Sequence, residues 1–232
     1  FIFTYFICFS IYAFESQAKF ALLVDADTGA VLYQKDAEIT MEPASITKLM
    51  TIYLTFEKLK SGEIKLDDEF VVSEKAWKLQ GSKMFVPLGA KVKVEDLLRG
   101  VIIQSGNDAC IVLAEGIDSS EEVFVANMNS KAKELGLTGS VFYNATGWND
   151  PGHVMTAKDM VTLSQRILKD FPEYYKLFAS TEFTFNGRVV RGHNRVTANY
   201  EGAEGMKTGF NNPAGSNLIT TASRDGRTLV GV

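Results

Sequence analysis

Apolar and polar positions change their period along this chain, and the changes outline an order of elements. Phe20-Ala-Leu-Leu-Val is a short apolar run, Ala26-Asp-Thr-Gly29 is a turn signal, and Ala30-Val-Leu-Tyr returns. Lys19 to Gln34 is therefore predicted to form a β-hairpin. After Pro43, Ile46, Leu49, Met50, Tyr53 and Leu54 recur at helical spacing until Gly62. Glu63 to Val72 is charged and then β-like. Val94, Leu97, Leu98, Val101 and Ile102 mark a second helix that breaks at Gln104-Ser-Gly-Asn107, and a third begins near Asp108 and runs to Ile117. Ser119 with Glu122 has capping-box spacing for a helix reaching Leu135, with Gly136 as its stop. Thr156 and Asp159 repeat that start, and Phe171-Pro172 ends the helix. From Glu182 the texture turns to strand: Phe183-Thr-Phe-Asn-Gly-Arg-Val-Val, Gly205 to Phe210, Ser216 to Ala222 and Arg227 to Val232. A hairpin, a block of helices and then strands predict an α+β layer design in which the late strands rejoin the early hairpin in one sheet.

Composition narrows the class. The chain has 232 residues, 46% of them hydrophobic, which is ample for a packed core. Its net charge of −4 comes from 24 basic residues scattered among 28 acids. No basic stripe stands out, so nucleic acid is not an expected partner. Phe1 to Phe14 is almost wholly apolar, and Ser16-Gln-Ala18 has the small-x-small form of a signal-peptidase site. Residues 1–18 are read as an export signal that lacks its start, and 19–232 as one catalytic domain. Because the chain stops inside an apparent strand, Leu229-Val-Gly-Val232, a C-terminal portion is expected to be missing. Cleavage after Ala18 would remove Cys8 and leave Cys110 alone, which excludes a disulfide scaffold. With His153 and His193 far apart, no zinc site is legible, and no cofactor is expected.

Three short motifs carry the candidate chemistry: Ser45-Ile-Thr-Lys48, Ser105-Gly-Asn107 and Lys207-Thr-Gly209. A serine attacks an amide only with a base in hydrogen-bond reach and donors waiting for the oxyanion. At a helix start, Ser45 and Lys48 fall on one face, one turn apart. Lys48 must be neutral to take the serine proton, and burial or a second cation would push it that way. The bland alternative is an N-cap serine with a surface lysine. Ser105 and Asn107 flank Gly106, which is expected to turn the backbone tightly and present both side chains to one cavity. Ser105 suits a proton relay, and Asn107 suits donation to a substrate carbonyl and to Lys48. Capping the next helix is the competing reading. Lys207 supplies charge, Thr208 a hydroxyl, and Gly209 room for a peptide backbone at a strand edge. Ser130-Lys-Ala-Lys133 fits the first template too, but it lies in a charged amphipathic stretch; Lys131, Lys133 and Glu134 read as a solvated helix face. Cys110 reads as a small core residue, and Phe183 and Phe185 as packing.

The three motifs, with Pro-Ala-Ser-Ile-Thr-Lys, Ile-Ile-Gln-Ser-Gly-Asn-Asp-Ala, Phe-Thr-Phe-Asn-Gly and Gly-Met-Lys-Thr-Gly-Phe around them, resemble the serine penicillin-recognising enzymes. Within these, the chain is similar to the low-molecular-mass D-alanyl-D-alanine carboxypeptidases of the DacA type, from about Lys19 onward. The resemblance implies a β-lactamase/transpeptidase-like fold, an antiparallel sheet with a helical lobe, the site lying between them. It implies removal of the terminal D-Ala from peptidoglycan stem pentapeptides, with β-lactams acylating the same serine. Ser45 would be the nucleophile, Lys48 its base and Ser105 a catalytic partner. Asn107, Lys207, Thr208, Gly209 and Phe210 would bind substrate, with the Ser45 and Phe210 N–H groups as oxyanion hole. Location would be the periplasm or the outer face of the cytoplasmic membrane, and any membrane association would belong to a further C-terminal segment. One feature departs from the family pattern, and one absence sets the chain apart from the rival β-lactamases. Gly192-His193-Asn194 stands where relatives often carry Arg-Asn, so Lys207, Arg191 or Arg195 would have to hold the carboxylate. The E-x-x-L-N base motif of related β-lactamases is absent between 107 and 207. An endopeptidase and a non-catalytic penicillin binder are the remaining alternatives.

Overall fold

The computed structural model describes residues 14–232. The apolar run of the expected export signal, up to residue 13, lies outside them. Among the described residues, no helix is long and apolar enough to cross a membrane.

The predicted hairpin forms as β1 (Ala21–Asp25) and β2 (Val31–Lys35). Asp25 pins its turn, because Oδ1 accepts from the amides of Asp27 and Thr28 and from the Thr28 hydroxyl. A 3-10 turn at Ala44–Thr47 then leads into α1 (Lys48–Ser61), which ends at Gly62 with φ +77°. The left-handed stop needs a residue without a Cβ penalty, as the sequence pattern anticipated. Every residue from Pro43 to Phe56 is buried except Ser45. A helix apolar nearly all round belongs at the centre of a lobe. Around it lie β3 (Glu69–Val71), α2 (Glu74–Lys78), β4 (Lys91–Lys93), α3 (Val94–Ile103), α4 (Asn107–Asp118), α5 (Glu121–Glu134) and α6 (Ala157–Asp170). Phe56, Leu97, Leu98, Val112, Leu113, Phe124 and Met160 share one buried cluster.

After α7 (Pro172–Tyr175) the chain runs β5 (Glu182–Phe185), β6 (Arg188–Arg191), α8 (Arg195–Asn199), β7 (Ala203–Asn211), β8 (Gly215–Arg224) and β9 (Arg227–Gly231). The main sheet has five strands in the order β2-β1-β9-β8-β7, with each neighbouring pair antiparallel. β9 lies against β1, so chain ends far apart in sequence share the sheet centre. Leu22, Val24 and Val230 pack with Ala157 and Val161 of α6 on one face. β7 occupies an edge, against the 3-10 turn that begins α1.

Four sequence expectations need correction. The β5–β6 hairpin pairs only with itself, so the late strands rejoin the first hairpin only from β7 onward. Its Phe183 is buried in the core all the same. The cap of α5 is Ser120, not Ser119: Ser119 is left-handed at φ +65° and terminates α4, so the next residue accepts from the Val123 amide. Lys131 is not solvated; only 13% of its side chain is exposed, and it bonds Glu57 at 2.7 Å and Glu134 at 2.6 Å. The short helix α8 was not expected at all. Its N-cap, Asn194, accepts from the amides of Val196 and Thr197.

Candidate active site

Ser45 sits in the 3-10 turn, and its Oγ is 2.9 Å from Lys48 Nζ. Lys48 is fully buried and also donates to the Thr146 carbonyl at 2.6 Å. Burial pushes its ammonium down to about 8, because a charged amine loses its hydration there. The local spacing thus delivers the expected serine–lysine pair.

Ser105 sits between α3 and α4 with φ +61°. The sequence reading put the tight turn on Gly106, but Gly106 has ordinary φ −61°. Its missing Cβ serves packing instead, since a Cβ would meet the Asp108 carboxylate at 3.0 Å and the Met84 amide at 3.2 Å. Strain of this kind on a non-glycine residue costs about 1–3 kcal/mol and persists only where surroundings hold it. Here Lys207 Nζ donates to Ser105 Oγ at 2.9 Å and to the Thr208 carbonyl at 2.9 Å. Lys207 is 1% exposed, which excludes the exposed strand lysine of the bland reading. Burial first, and then the charge of Lys48, lowers it to about 7.

Asn107 is buried at the start of α4. Its Nδ2 donates to the Gln80 carbonyl at 2.8 Å rather than bonding Lys48, and its backbone amide donates to the Ser82 carbonyl at 2.7 Å. The amide is drawn to the 80–90 segment because Asp108 holds that segment in place. Asp108 is fully buried and accepts from the Met84, Phe85 and Val86 amides.

Gly209 also has a packing role. A Cβ there would lie 3.1 Å from the Pro43 carbonyl oxygen and 3.3 Å from the Ile46 amide nitrogen. The glycine therefore lets β7 approach the Ser45 turn, while Gly209 still lines the cavity beside Ser45. Thr208 and Phe210 flank it, Phe210 with 69% of its surface exposed.

Sequence reasoning missed the 144–149 loop. Asn144 Oδ1 accepts from the Thr146, Gly147 and Trp148 amides, which aims the Thr146 carbonyl at Lys48. Gly147 has φ +78°, and a Cβ on it would stand 1.8 Å from the Ala44 carbonyl oxygen. The Asn-Ala-Thr-Gly turn signature was visible, but nothing local says which turn it will touch. Behind the same loop His153 bonds Thr47 Oγ1 at 2.8 Å, and burial pushes its imidazolium down to about 4, so it is neutral at pH 7. Cys110 is buried beneath the site with its thiol pushed up to about 12, an inert core residue.

Two cavities meet at Ser45 and Phe210. One, of about 460 Å³, is also lined by Ser105, Arg195, Thr208 and Gly209. The other, of about 360 Å³, is lined by Asn107, Gly147, Trp148 and Asn211. A larger cavity of about 630 Å³ lies elsewhere, among Phe14, Leu23, Tyr33 and Leu218, and holds none of the motif residues. The smaller pair carries the chemistry, because Ser45 opens onto both cavities with buried Lys48 on its hydroxyl. No three His, Cys, Asp or Glu side chains among the described residues gather as metal ligands.

A five-stranded sheet beside a helical lobe, with a serine–lysine pair at the seam, is an arrangement for serine acyl transfer. Residues 9–232 match the peptidase S11 family of D-alanyl-D-alanine carboxypeptidases, and the chain belongs to that family. It is 41% identical to the D-alanyl-D-alanine carboxypeptidase DacC of Escherichia coli over 93% of this chain and 56% of that protein. Penicillin binding protein 5 of Haemophilus influenzae superposes with a TM-score of 0.92 at 35% identity, over 95% of this chain and 66% of that one. Penicillin-Binding Protein D2 of Listeria monocytogenes, solved in its ampicillin-bound form, superposes at 0.85 with 28% identity, over 94% of this chain and 89% of that one. The chain spans about half the length of the curated relatives it matches.

Proposed function

We propose that this chain carries a serine-type D-Ala-D-Ala carboxypeptidase activity that removes the terminal D-Ala from peptidoglycan stem pentapeptides. The observation that carries the reading is the line Ser45–Lys48 and Ser105–Lys207, two serine–lysine pairs at 2.9 Å facing one cleft. Neutral Lys48 takes the Ser45 proton as Oγ attacks the carbonyl of the penultimate D-Ala. The N–H groups of Ser45 and Phe210, the two residues at the junction of the cavities, would receive the oxyanion. As the C–N bond breaks, the Ser105 hydroxyl passes a proton to the leaving D-Ala amine, and Lys207 reprotonates Ser105. Water then attacks the acyl-enzyme and releases the shortened peptide. Asn107 shapes the second cavity, Thr208 meets the substrate carboxylate, and Gly209 positions β7.

A β-lactam enters the same cleft and acylates Ser45, as its relationship to an ampicillin-bound protein supports. The substrate chemistry supports a place for the enzyme outside the cytoplasm, in the periplasm or on the outer face of the cytoplasmic membrane, and we read residues 1–18 as export signal and 19–232 as catalytic domain. The test is D-alanine release from a pentapeptide ending in D-Ala-D-Ala, with Ser45→Ala as control. Release that vanishes in the variant supports the reading. A folded, penicillin-labelled protein that releases no D-alanine would overturn it in favour of an endopeptidase or a binder.

A further inference from the structure

His153 is 2% exposed and lines neither cavity at Ser45, yet its ring lies against the nucleophile turn. Its Nε2 is 2.8 Å from the hydroxyl of Thr47, the residue before Lys48. The Tyr143 amide N–H donates to Nδ1 at 3.4 Å, so the ring proton sits on Nε2 and is given to the Thr47 hydroxyl. An imidazolium would instead turn a second N–H toward the Tyr143 N–H. Phe142 closes on the ring edge to face, with centroids 5.6 Å apart. The chain around the ring is pinned as well. The His153 amide donates to the Asp150 carbonyl at 2.9 Å, Val154 exchanges backbone bonds with Val141, and Met155 exchanges them with Met41. The imidazole is therefore a fixed post on which the Thr47 hydroxyl rests. Gly147 leaves room for that contact, because a Cβ on it would stand 2.7 Å from Thr47 Oγ1.

Two further bonds join the same loop to the start of α1. The Lys48 amine donates to the Thr146 carbonyl at 2.6 Å, and the Thr51 hydroxyl donates to the Ala145 carbonyl at 2.7 Å. A neutral lysine amine has one lone pair. Giving an N–H to Thr146 leaves that pair free to face Ser45 Oγ, 2.9 Å away. The aim of the base thus depends on where the loop sits. We infer that His153 is a positioning residue: by donating from Nε2 to Thr47 Oγ1, it holds the Ser45–Lys48 turn and the 144–149 loop in the register that points the Lys48 lone pair at Ser45. It acts through Thr47 and the loop, without touching the reacting atoms. The assignment rests on the serine acylation of the reading above.

The test is the rate constant of acylation by a penicillin across pH, read by intact mass, in His153→Phe, Thr47→Val and the double variant. A rate constant, unlike an amplitude, does not depend on how much of the protein is folded. His153→Phe keeps a ring and removes both nitrogens. It should slow acylation about tenfold or more and move the pH of fastest acylation upward. A loosened loop lets water reach Lys48, and a hydrated amine holds its proton more tightly. Asp108, Cys110 and Lys207, which act on Lys48 electrostatically, stay in place in these variants, so the shift reports the loop. With the pentapeptide, kcat should fall while KM stays within about twofold. Thr47→Val should reproduce both changes. The double variant should be no slower than the slower single one, because the two substitutions remove one bond. Thr47→Val deletes a single hydroxyl and carries the test if His153→Phe does not fold. A rate loss that leaves the pH of fastest acylation in place, losses that multiply in the double variant, or Thr47→Val at the unaltered rate would each overturn the assignment. Absence of acylation in the unaltered protein would overturn the serine acylation itself, and it is read before any variant is compared.

Discussion

On the helical wall of the cleft Lys48 reaches the Ser45 hydroxyl three residues back; on the sheet wall Lys207 reaches the Ser105 hydroxyl across 102 residues of chain. The N–O distance is 2.9 Å in both. Both lysines are buried, and burial lowers both, to about 8 for Lys48 and about 7 for Lys207. Exposure separates the two serines. Ser45 opens onto both cavities, whereas Ser105 is 6% exposed and held in a left-handed conformation. One pair is a product of helical spacing with its hydroxyl presented to substrate. The other exists only while β7, α3 and α4 stay packed, and its hydroxyl stands further back. The difference fits attack on the first wall and proton relay on the second.

The largest effect should come from the local pair. Ser45→Ala should abolish penicillin labelling and lower turnover by roughly 10⁴-fold or more, read by intact mass and D-alanine release. Residual labelling at an unchanged rate would move the nucleophile elsewhere. The pH dependence tests its partner. Below about 8 Lys48 carries a proton and cannot accept another. Acylation should therefore rise about tenfold per pH unit below that region and fall again above it, where Lys207 has lost the proton that it gives to Ser105. A flat profile from acid to alkaline pH would remove Lys48 as the base.

The non-local wall should fail through its supports. Asp108→Ala leaves the Met84, Phe85 and Val86 amides without their acceptor and should cost about 3 kcal/mol or more in denaturant unfolding. A loss under about 1 kcal/mol would show that the 80–90 segment holds itself. Gly147→Ala drives a methyl into the Ala44 carbonyl and demands a strained φ, so it should cost about 1–3 kcal/mol and slow acylation by displacing Thr146 from Lys48. Unchanged acylation in a destabilised variant would detach that loop from the chemistry.

The smallest effect has the opposite sign. Lys207 has a folded value below its unfolded one, so folding penalises its charged form. The penalty is complete below about 7 and fades as pH rises toward the ordinary lysine range. Lys207→Met should therefore raise the melting temperature by a few degrees at pH 7, less at higher pH, while abolishing activity. A lower melting temperature would mean that its bonds to Ser105 and Thr208 outweigh the desolvation.

Much of this was legible in the chain because it is local. The hairpin, the long helices and their stops follow from period and from residues such as Gly62 and Gly136. Ser45 and Lys48 follow from spacing on one turn. Readings failed where a residue's role was set by what lies against it. Gly209 read as room for a ligand alone, and the Pro43–Ile46 turn packs against it as well. Gly106 looked like the turn, and Ser105 took the strain because Gly106 was needed for contact with Asp108 and Met84. Lys131 looked solvated, and Glu57 of α1 covers it.

The sequence by itself determined the class of chemistry. The three motifs name the groups, and the 3-10 turn running into α1 brings Ser45 and Lys48 together, because i and i+3 stack in such a turn. Tertiary structure alone decided what those groups can do. It buried both lysines until their charges became costly, set Lys207 behind Ser105, and gave Asn107 to Gln80. Desolvation and non-local contact depend on which surfaces meet. That is fixed by the packing of β7 and the 80–90 and 144–149 segments against one helix, and no local pattern encodes it.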